Sequence, residues 1–213
     1  MTRQISLPFD WRGDDSARSA GDGVLLGEAN RIALAHLERW RDWPLAVSIL
    51  TGPPRSGRST LGRHFAAMSG GSVIDEAQGA DEHALFHAWN AAQTERKPLL
   101  LIGHEAPSRW AVALPDLRSR LAAAPHVALA EPDEALGKAL IERALQRAGA
   151  AFAADVPDWL LRRIERSYSA IEAATRLLDA AALSSGRKIS VALAKETLQS
   201  AGLLPIVPSD PPS

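Results

Sequence analysis

Leu45 to Thr60 reads LAVSILTGPPRSGRST, and this stretch decides the fold. An apolar run (Leu45, Ala46, Val47, Ile49, Leu50) stops at Gly52, a loop with Pro53, Pro54 and Gly57 follows, and LGRHFAA after Ser59 and Thr60 has the pattern of a helix. The order is strand, phosphate loop, helix. Glycines let the backbone come close to an anion, and the loop N–H groups and helix N-terminus then face the phosphates. The spacing G-x-x-x-x-G-[basic]-S is met at Gly52, Gly57, Arg58 and Ser59. It makes Gly52, Pro53, Pro54, Arg55, Ser56, Gly57, Arg58, Ser59 and Thr60 the candidate nucleotide-binding residues. One position departs: Arg58 stands where the motif carries Lys. A guanidinium is planar, forked and bulkier than an ammonium; it holds phosphate but threads less well between the terminal two. The plainer reading is a Gly-rich turn in an α/β domain, and Thr51-Gly52-Pro53-Pro54 at a strand end makes it the weaker one.

The composition sets bounds. The 213 residues are 46% hydrophobic and 23% charged, which suits one α/β domain or a core with a small second domain. The net charge is −1 and no basic run occurs, which disfavours unaided, sequence-specific DNA binding and membrane binding. No cysteine is present, which excludes disulfides and cysteine zinc sites. No apolar run reaches the length of a membrane span and no signal-peptide core is seen, so a cytoplasmic protein is expected.

Upstream of the loop, Glu28 to about Asp42 is predicted helical, with Ala29, Ile32, Ala33, Leu37 and Trp40 as its buried stripe and Trp43-Pro44 ending it. Residues 1–23 read as an arm and linker. Within them Gln4-Ile5-Ser6-Leu7-Pro8-Phe9 is an apolar hexapeptide, and Pro8 biases Leu7 to an extended backbone. Taken alone it reads first as a terminal strand docked on its own core, and second as an extended peptide for an apolar groove in a partner.

Downstream, the helix after Thr60 runs to about Met68, because Ser69-Gly70-Gly71 breaks it. Ser72 to Glu76 reads as a short buried strand ending in two carboxylates. Asp75, beside the phosphate loop, would hold Mg²⁺ together with Ser59, and Glu76 would position a water; the plainer reading is a solvated acidic strand end. A helix from about Asp81 to Thr94 carries His83 and His87 one turn apart, read as surface histidines for want of a third ligand. Pro98–Ile102 is a buried strand ending at Gly103-His104-Glu105. Leu114–Ala123 is a short helix with Arg118 and Arg120, and His126–Ala130 is a last strand. From Glu131 the pattern is all helix: one opening at Pro132 and closing at Gly149, then about Val156–Arg166, Ser169–Leu183 and Val191–Ala201. Leu203–Ser213, with four prolines, reads as an extended tail. The expected architecture is therefore α/β, with residues 24–130 a phosphate-loop core on a shortened parallel sheet, 131–202 a small helical domain and 203–213 a tail.

This order of parts resembles the AAA+ family, and two motifs narrow the likeness. The block Ala111-Val112-Ala113-Leu114-Pro115-Asp116-Leu117-Arg118-Ser119-Arg120-Leu121 is similar to the arginine-finger box of the family of the replication initiator DnaA and its regulatory relative Hda. QISLPF resembles that regulator's peptide for the replication sliding clamp, and Gly27-Glu28-Ala29-Asn30-Arg31 resembles the nucleotide-adjacent start of the family. The resemblance covers about residues 4–202 and implies a helical lid for residues 131–202. It implies further that Asn30 lies near the nucleotide, ADP or ATP with Mg²⁺. Gln4, Ile5, Leu7, Pro8 and Phe9 would bind the clamp, and the arm then reads as a clamp peptide rather than a docked strand. Arg120 would act as an arginine finger in trans on ATP held by DnaA, more than this chain turns over ATP itself; self-association stays open. The departures are Arg58, His104 at the first sensor position, and Ser169 where the lid carries its second sensor arginine. Only 14 residues separate Thr60 from Asp75, so one strand and one helix of the family are expected to be missing there. Two other functions stay open at this level: a self-hydrolysing ATPase that remodels a replication partner, and a clamp-binding scaffold without nucleotide.

Overall fold

The computed structural model describes Leu25 and residues 27–204. The chain divides between Glu131 and Pro132 into two compact units.

The first unit is a parallel sheet between two helical layers. Its strands are β1 (Val47–Thr51), β2 (Ser72–Ile74), β3 (Leu99–Gly103) and β4 (His126–Ala128), in the order β2-β3-β1-β4. β1 runs fully buried between β3 and β4, with Val47 opposite Leu99 and Ile49 opposite His126. Side chains alternate across a strand, so β1 feeds two cores. Val47 and Ile49 join Leu99, Leu101, Trp89, Trp110, Leu117 and Leu121, under α3 (Glu82–Glu95) and α4 (Pro115–Ala123). Leu50 joins Leu34, Leu37, Leu61, Phe65 and Ile102, under α1 (Glu28–Glu38) and α2 (Arg58–Ser69). Each fully buried leucine contributes about 1.5–3 kcal/mol relative to exposure. At Gly62 the second layer comes so close that an added Cβ would lie 2.6 Å from Ile102 Cδ1.

Several element bounds differ from the sequence reading. α1 ends at Glu38, and Trp40–Asp42 form a separate 3-10 turn. The buried stripe of α1 is Asn30, Ala33, Leu34 and Leu37, whereas Ile32 is 68% exposed. Ile32 lies two residues from Asn30 and from Leu34, which at about 100° per residue turns it to the opposite face. β2 is an edge strand of three residues, not a buried one, and Asp75 and Glu76 lie in the turn beyond it. α2 passes straight into β2 through Gly70 and Gly71, in keeping with the expected missing strand and helix.

The second unit holds α5 (Glu134–Arg147), α6 (Val156–Leu161), α7 (Tyr168–Ser185) and α8 (Val191–Ser200) around Ile141, Leu145, Leu160, Ile171, Leu178 and Leu198. Asp133 caps α5 by accepting from the Leu136 N–H at 2.8 Å, so Pro132 stays outside the helix. α6 is shorter than the periodicity predicts. Ser167 caps α7 through its Oγ and the Ala170 N–H, and the chain must leave the helical path before that cap. No described helix is long and apolar enough to cross a membrane.

Candidate phosphate-loop site and arginine helix

The loop after β1 is built to face an anion. Gly57, the N-cap of α2, has φ 89°, and Arg55 has φ 67°; both are left-handed, which turns successive N–H groups toward one side. No side chain caps α2, so the first-turn N–H groups remain available. Ser56 is buried, and among the described residues its Oγ has no hydrogen-bond partner. Gly52 admits no side chain, because a Cβ there would lie 2.7 Å from Leu129 Cβ. An uncapped helix start, a left-handed turn and an orphaned buried hydroxyl together fit a phosphate group. Ser59 lies exposed in the first turn of α2.

Arg58 behaves differently from the lysine of the motif. It is 7% exposed, and its guanidinium turns to the tip of β3. Nη1 donates to the Gly103 carbonyl at 2.5 Å and Nη2 donates to His104 Nδ1 at 2.6 Å. The opposite ring nitrogen of His104 lies 2.5 Å from Glu76 Oε2, and Gln78 Nε2 donates to the same oxygen at 2.7 Å. A guanidinium only donates, so Nδ1 must accept, the ring proton sits on Nε2, and Nε2–H donates to Glu76. Arg58, His104 and Glu76 thus form one polar chain across the ends of α2, β3 and β2. Gly103 in its midst cannot carry a Cβ, since Trp110 would lie 2.6 Å away.

The remaining candidates fall as follows. Asp75 is exposed and its Oδ1 accepts from the Glu76 N–H at 2.9 Å. Asn30 is buried and both ends of its amide are engaged: Oδ1 accepts from the Gly27 N–H and Nδ2 donates to the Leu25 carbonyl. It therefore fixes the entry into α1. Ser169 lies in the first turn of α7, in the second unit. Residues 4–9 lie outside the described residues. His83 and His87 are exposed, and among the described residues no group of three metal-binding side chains occurs.

α4 presents the two arginines differently. Arg118 donates through Nε and Nη2 to the Val112 carbonyl. Arg120 lies half-buried on α3: Nη1 donates to Asn90 Oδ1 at 2.5 Å and its Cζ stacks 4.5 Å above the Phe86 ring. Phe86, Asn90 and Gln78 were not singled out from the sequence, because nothing local marks them.

A phosphate loop at the end of a central parallel strand, followed by a four-helix unit, is the arrangement of the AAA+ fold. The solved structures agree on the fold. Domain III of the Thermotoga maritima replication initiation protein DnaA matches with a TM-score of 0.70 at 14% identity, over 82% of this chain and 93% of that one. The Thermotoga maritima RuvB Holliday junction branch migration motor matches at 0.61 and 18% identity, over 82% and 70%. The replication initiator DnaA bound to AMPPCP and single-stranded DNA matches at 0.58 and 16% identity over 72% of this chain, which spans only 62% of that initiator. Residues 133–198 match the family model described as Hda, lid domain. The chain therefore has the fold of these domains, and residues 133–198 of its second unit are similar to the Hda lid.

Proposed function

We propose that the chain regulates replication initiation by binding the sliding clamp through Gln4–Phe9 and promoting ATP hydrolysis on DnaA through Arg120. The observation that carries this reading is the Arg120 guanidinium, held in the last turn of α4 within the sequence LPDLRSRL, in a chain whose residues 133–198 match the Hda lid model. A guanidinium stays charged and forks onto phosphate oxygens, which suits charge that builds up in phosphoryl transfer. DnaA would then be left with ADP and cease to fire origins.

The chain's own nucleotide, ADP or ATP, would rest on Gly52–Thr60, with Ser59 and Asp75 holding Mg²⁺. The ion would neutralise phosphate charge. Arg58 and Glu76 engage each other through His104, so neither is free to serve a terminal phosphate or an attacking water; slow or absent self-hydrolysis follows. The deciding experiment is the turnover of ATP-bound DnaA with clamp loaded on DNA, with and without this protein. Equal turnover in both arms rejects the reading. A second reading, a clamp-tethered scaffold without nucleotide, draws on the engagement of Arg58 at the β3 tip. Calorimetry with ADP separates the two, since the scaffold shows no binding heat.

A further inference from the structure

We infer that the unpaired edge of β4, with the apolar groove beside it, holds Ile5, Leu7 and Phe9 of the chain's own arm as an added antiparallel strand, which the clamp must displace. The clamp half of this rests on the reading of Gln4–Phe9 proposed above.

Among the described residues β4 is an outer strand of the sheet, paired with β1 alone. The Ile49 N–H donates to the Pro125 carbonyl at 2.8 Å, and the Leu129 N–H donates to the Thr51 carbonyl at 2.7 Å. Backbone groups alternate sides along a strand, so those of Pro125, Val127 and Leu129 face β1 and those of His126 and Ala128 face outward. Both outward residues are exposed, and among the described residues their N–H and C=O groups have no backbone partner. Such an edge accepts an extended peptide. Beside it, on the face that Ile49 shares with Trp110, Leu121 and Ala124, lies a groove of about 970 Å³. His126 joins the groove to β4, and Val112 and Ala122 continue its largely apolar lining.

The arm carries the matching pattern. Ile5, Leu7 and Phe9 alternate with Gln4, Ser6 and Pro8, so an extended backbone puts the three apolar side chains on one face. Pro8 then selects the direction. Ile49 has its side chain on the groove face and its N–H toward β4, that is, outward. A parallel strand added beyond β4 follows the same rule: with its apolar face on the groove it would turn the Pro8 position, which has no N–H, toward the edge. An antiparallel strand turns Pro8 to solvent and gives the Ile5, Leu7 and Phe9 N–H groups to β4. With Phe9 beside His126 at the groove, Leu7 comes opposite Ala128.

The connection has ample reach. The Ala130 N–H donates to the Ala29 carbonyl and Asn30 Nδ2 holds the Leu25 carbonyl, so the arm joins the fold near the C-terminal end of β4. Residues 10–24 can span about 50 Å, several times the length of a three-residue strand. A few edge hydrogen bonds, each weak in net terms, hold the strand loosely. Docking therefore adds little to the melting temperature, and a clamp that takes the same side chains displaces it.

The test uses the full chain, which has no cysteine of its own to interfere. Under mild oxidation Leu7→Cys with Ala128→Cys should form an intramolecular disulfide several-fold faster than Ser6→Cys with Ala128→Cys, because Ser6 faces the other way. Ala122→Glu sets a carboxylate in the groove from the exposed side of α4. It should bind clamp about two- to tenfold more tightly than the parent, the gain expected when the peptide is docked for about half to nine-tenths of the time. Equal rates for the two cysteine pairs, a disulfide that joins two copies, or parent-like clamp affinity in Ala122→Glu each overturn the inference. A fast Leu7 pair in a chain whose parent binds no clamp overturns the clamp reading instead, and leaves the docked strand standing.

Discussion

Arg58 Nη2 lies 2.6 Å from His104 Nδ1, so the basic residue of the phosphate loop and the residue at the tip of β3 are hydrogen-bonded to each other. The contact settles the histidine's tautomer and carries the link on to Glu76. Two departures from the family pattern, Arg58 and His104, are therefore one departure: each supplies what the other needs. A lysine is a shorter point charge with no fork and could not reach both Gly103 and His104 in the same way.

Removing that guanidinium should be costly. Arg58→Ala leaves the buried Gly103 carbonyl without its donor, and an unmet buried acceptor costs about 1–3 kcal/mol. Urea unfolding should show a loss of that size. Arg58→Lys should lose less, and it should bind a triphosphate analogue more tightly than the parent does, because its ammonium is released toward the loop. Calorimetry with AMPPCP reads this. An Arg58→Ala protein as stable as the parent would show that the polar chain contributes nothing to the fold.

Acid should weaken the first unit through two histidines. Burial lowers the pKa of His36 and of His126 below 6.5. His36 Nε2 lies 2.7 Å from Ser48 Oγ, whose proton goes to the Pro125 carbonyl, and His126 Nε2 lies 2.7 Å from Thr51 Oγ1. The folded state favours the neutral rings, so the unfolded chain binds more protons as pH falls below 6.5. Stability is complete above that pH and declines below it, by about 1.4 kcal/mol for each pKa unit of difference. Glu82, lowered by the Ala113 and Leu114 N–H groups, adds a separate loss only below 4.5. Urea melts from pH 7.5 to 5 should show the decline, and His36→Gln with His126→Gln should flatten it. A flat profile in the parent contradicts the assignment.

What was legible in the sequence was local. Gly52, Gly57 and Ser59 sit within eight residues, so loop and helix start could be read from spacing alone. The carboxylates were less legible. Asp75 and Glu76 read as a strand end, but the edge placement of β2 comes from strand order, which no local pattern encodes. The direction of Arg58 was hidden for the same reason: its acceptors lie 45 and 46 residues away. Asn90 is 30 residues from Arg120. On α3 the buried residues are Leu85, Trp89 and Ala92, and no local motif sets Phe86 and Asn90 apart from the other residues of that helix.

The N-terminal peptide should bind the clamp and contribute little to the fold. One short apolar peptide in one groove reaches roughly micromolar affinity, and a ring with repeated grooves adds avidity. Changing Leu7 and Phe9 together to Ala should abolish clamp pull-down and leave the melting temperature unchanged. Retained pull-down would rule out the clamp assignment. A large drop in melting temperature would instead favour a strand docked on the chain's own core.

Arg120 should be needed for stimulation and dispensable for folding and clamp binding. It is half-buried, yet what it touches is a ring face and one amide oxygen, so Arg120→Ala opens no core cavity. Fingers of this kind supply about 10³–10⁵ in rate, so the variant should lose roughly a hundredfold or more of stimulated DnaA-ATP turnover even if other contacts compensate. Arg120→Lys keeps the charge and loses the fork, and should recover only a small part. Arg118 lies two residues earlier, about 200° around the helix, with its donors on the Val112 carbonyl. Arg118→Ala should therefore loosen the start of α4 and reduce turnover only several-fold. Equal losses in the two alanine variants would mean that the helix as a whole, and not one guanidinium, meets the partner. Unchanged turnover in Arg120→Ala would leave a clamp-binding scaffold as the better account, because the proposed stimulation is assigned to that side chain and to no other.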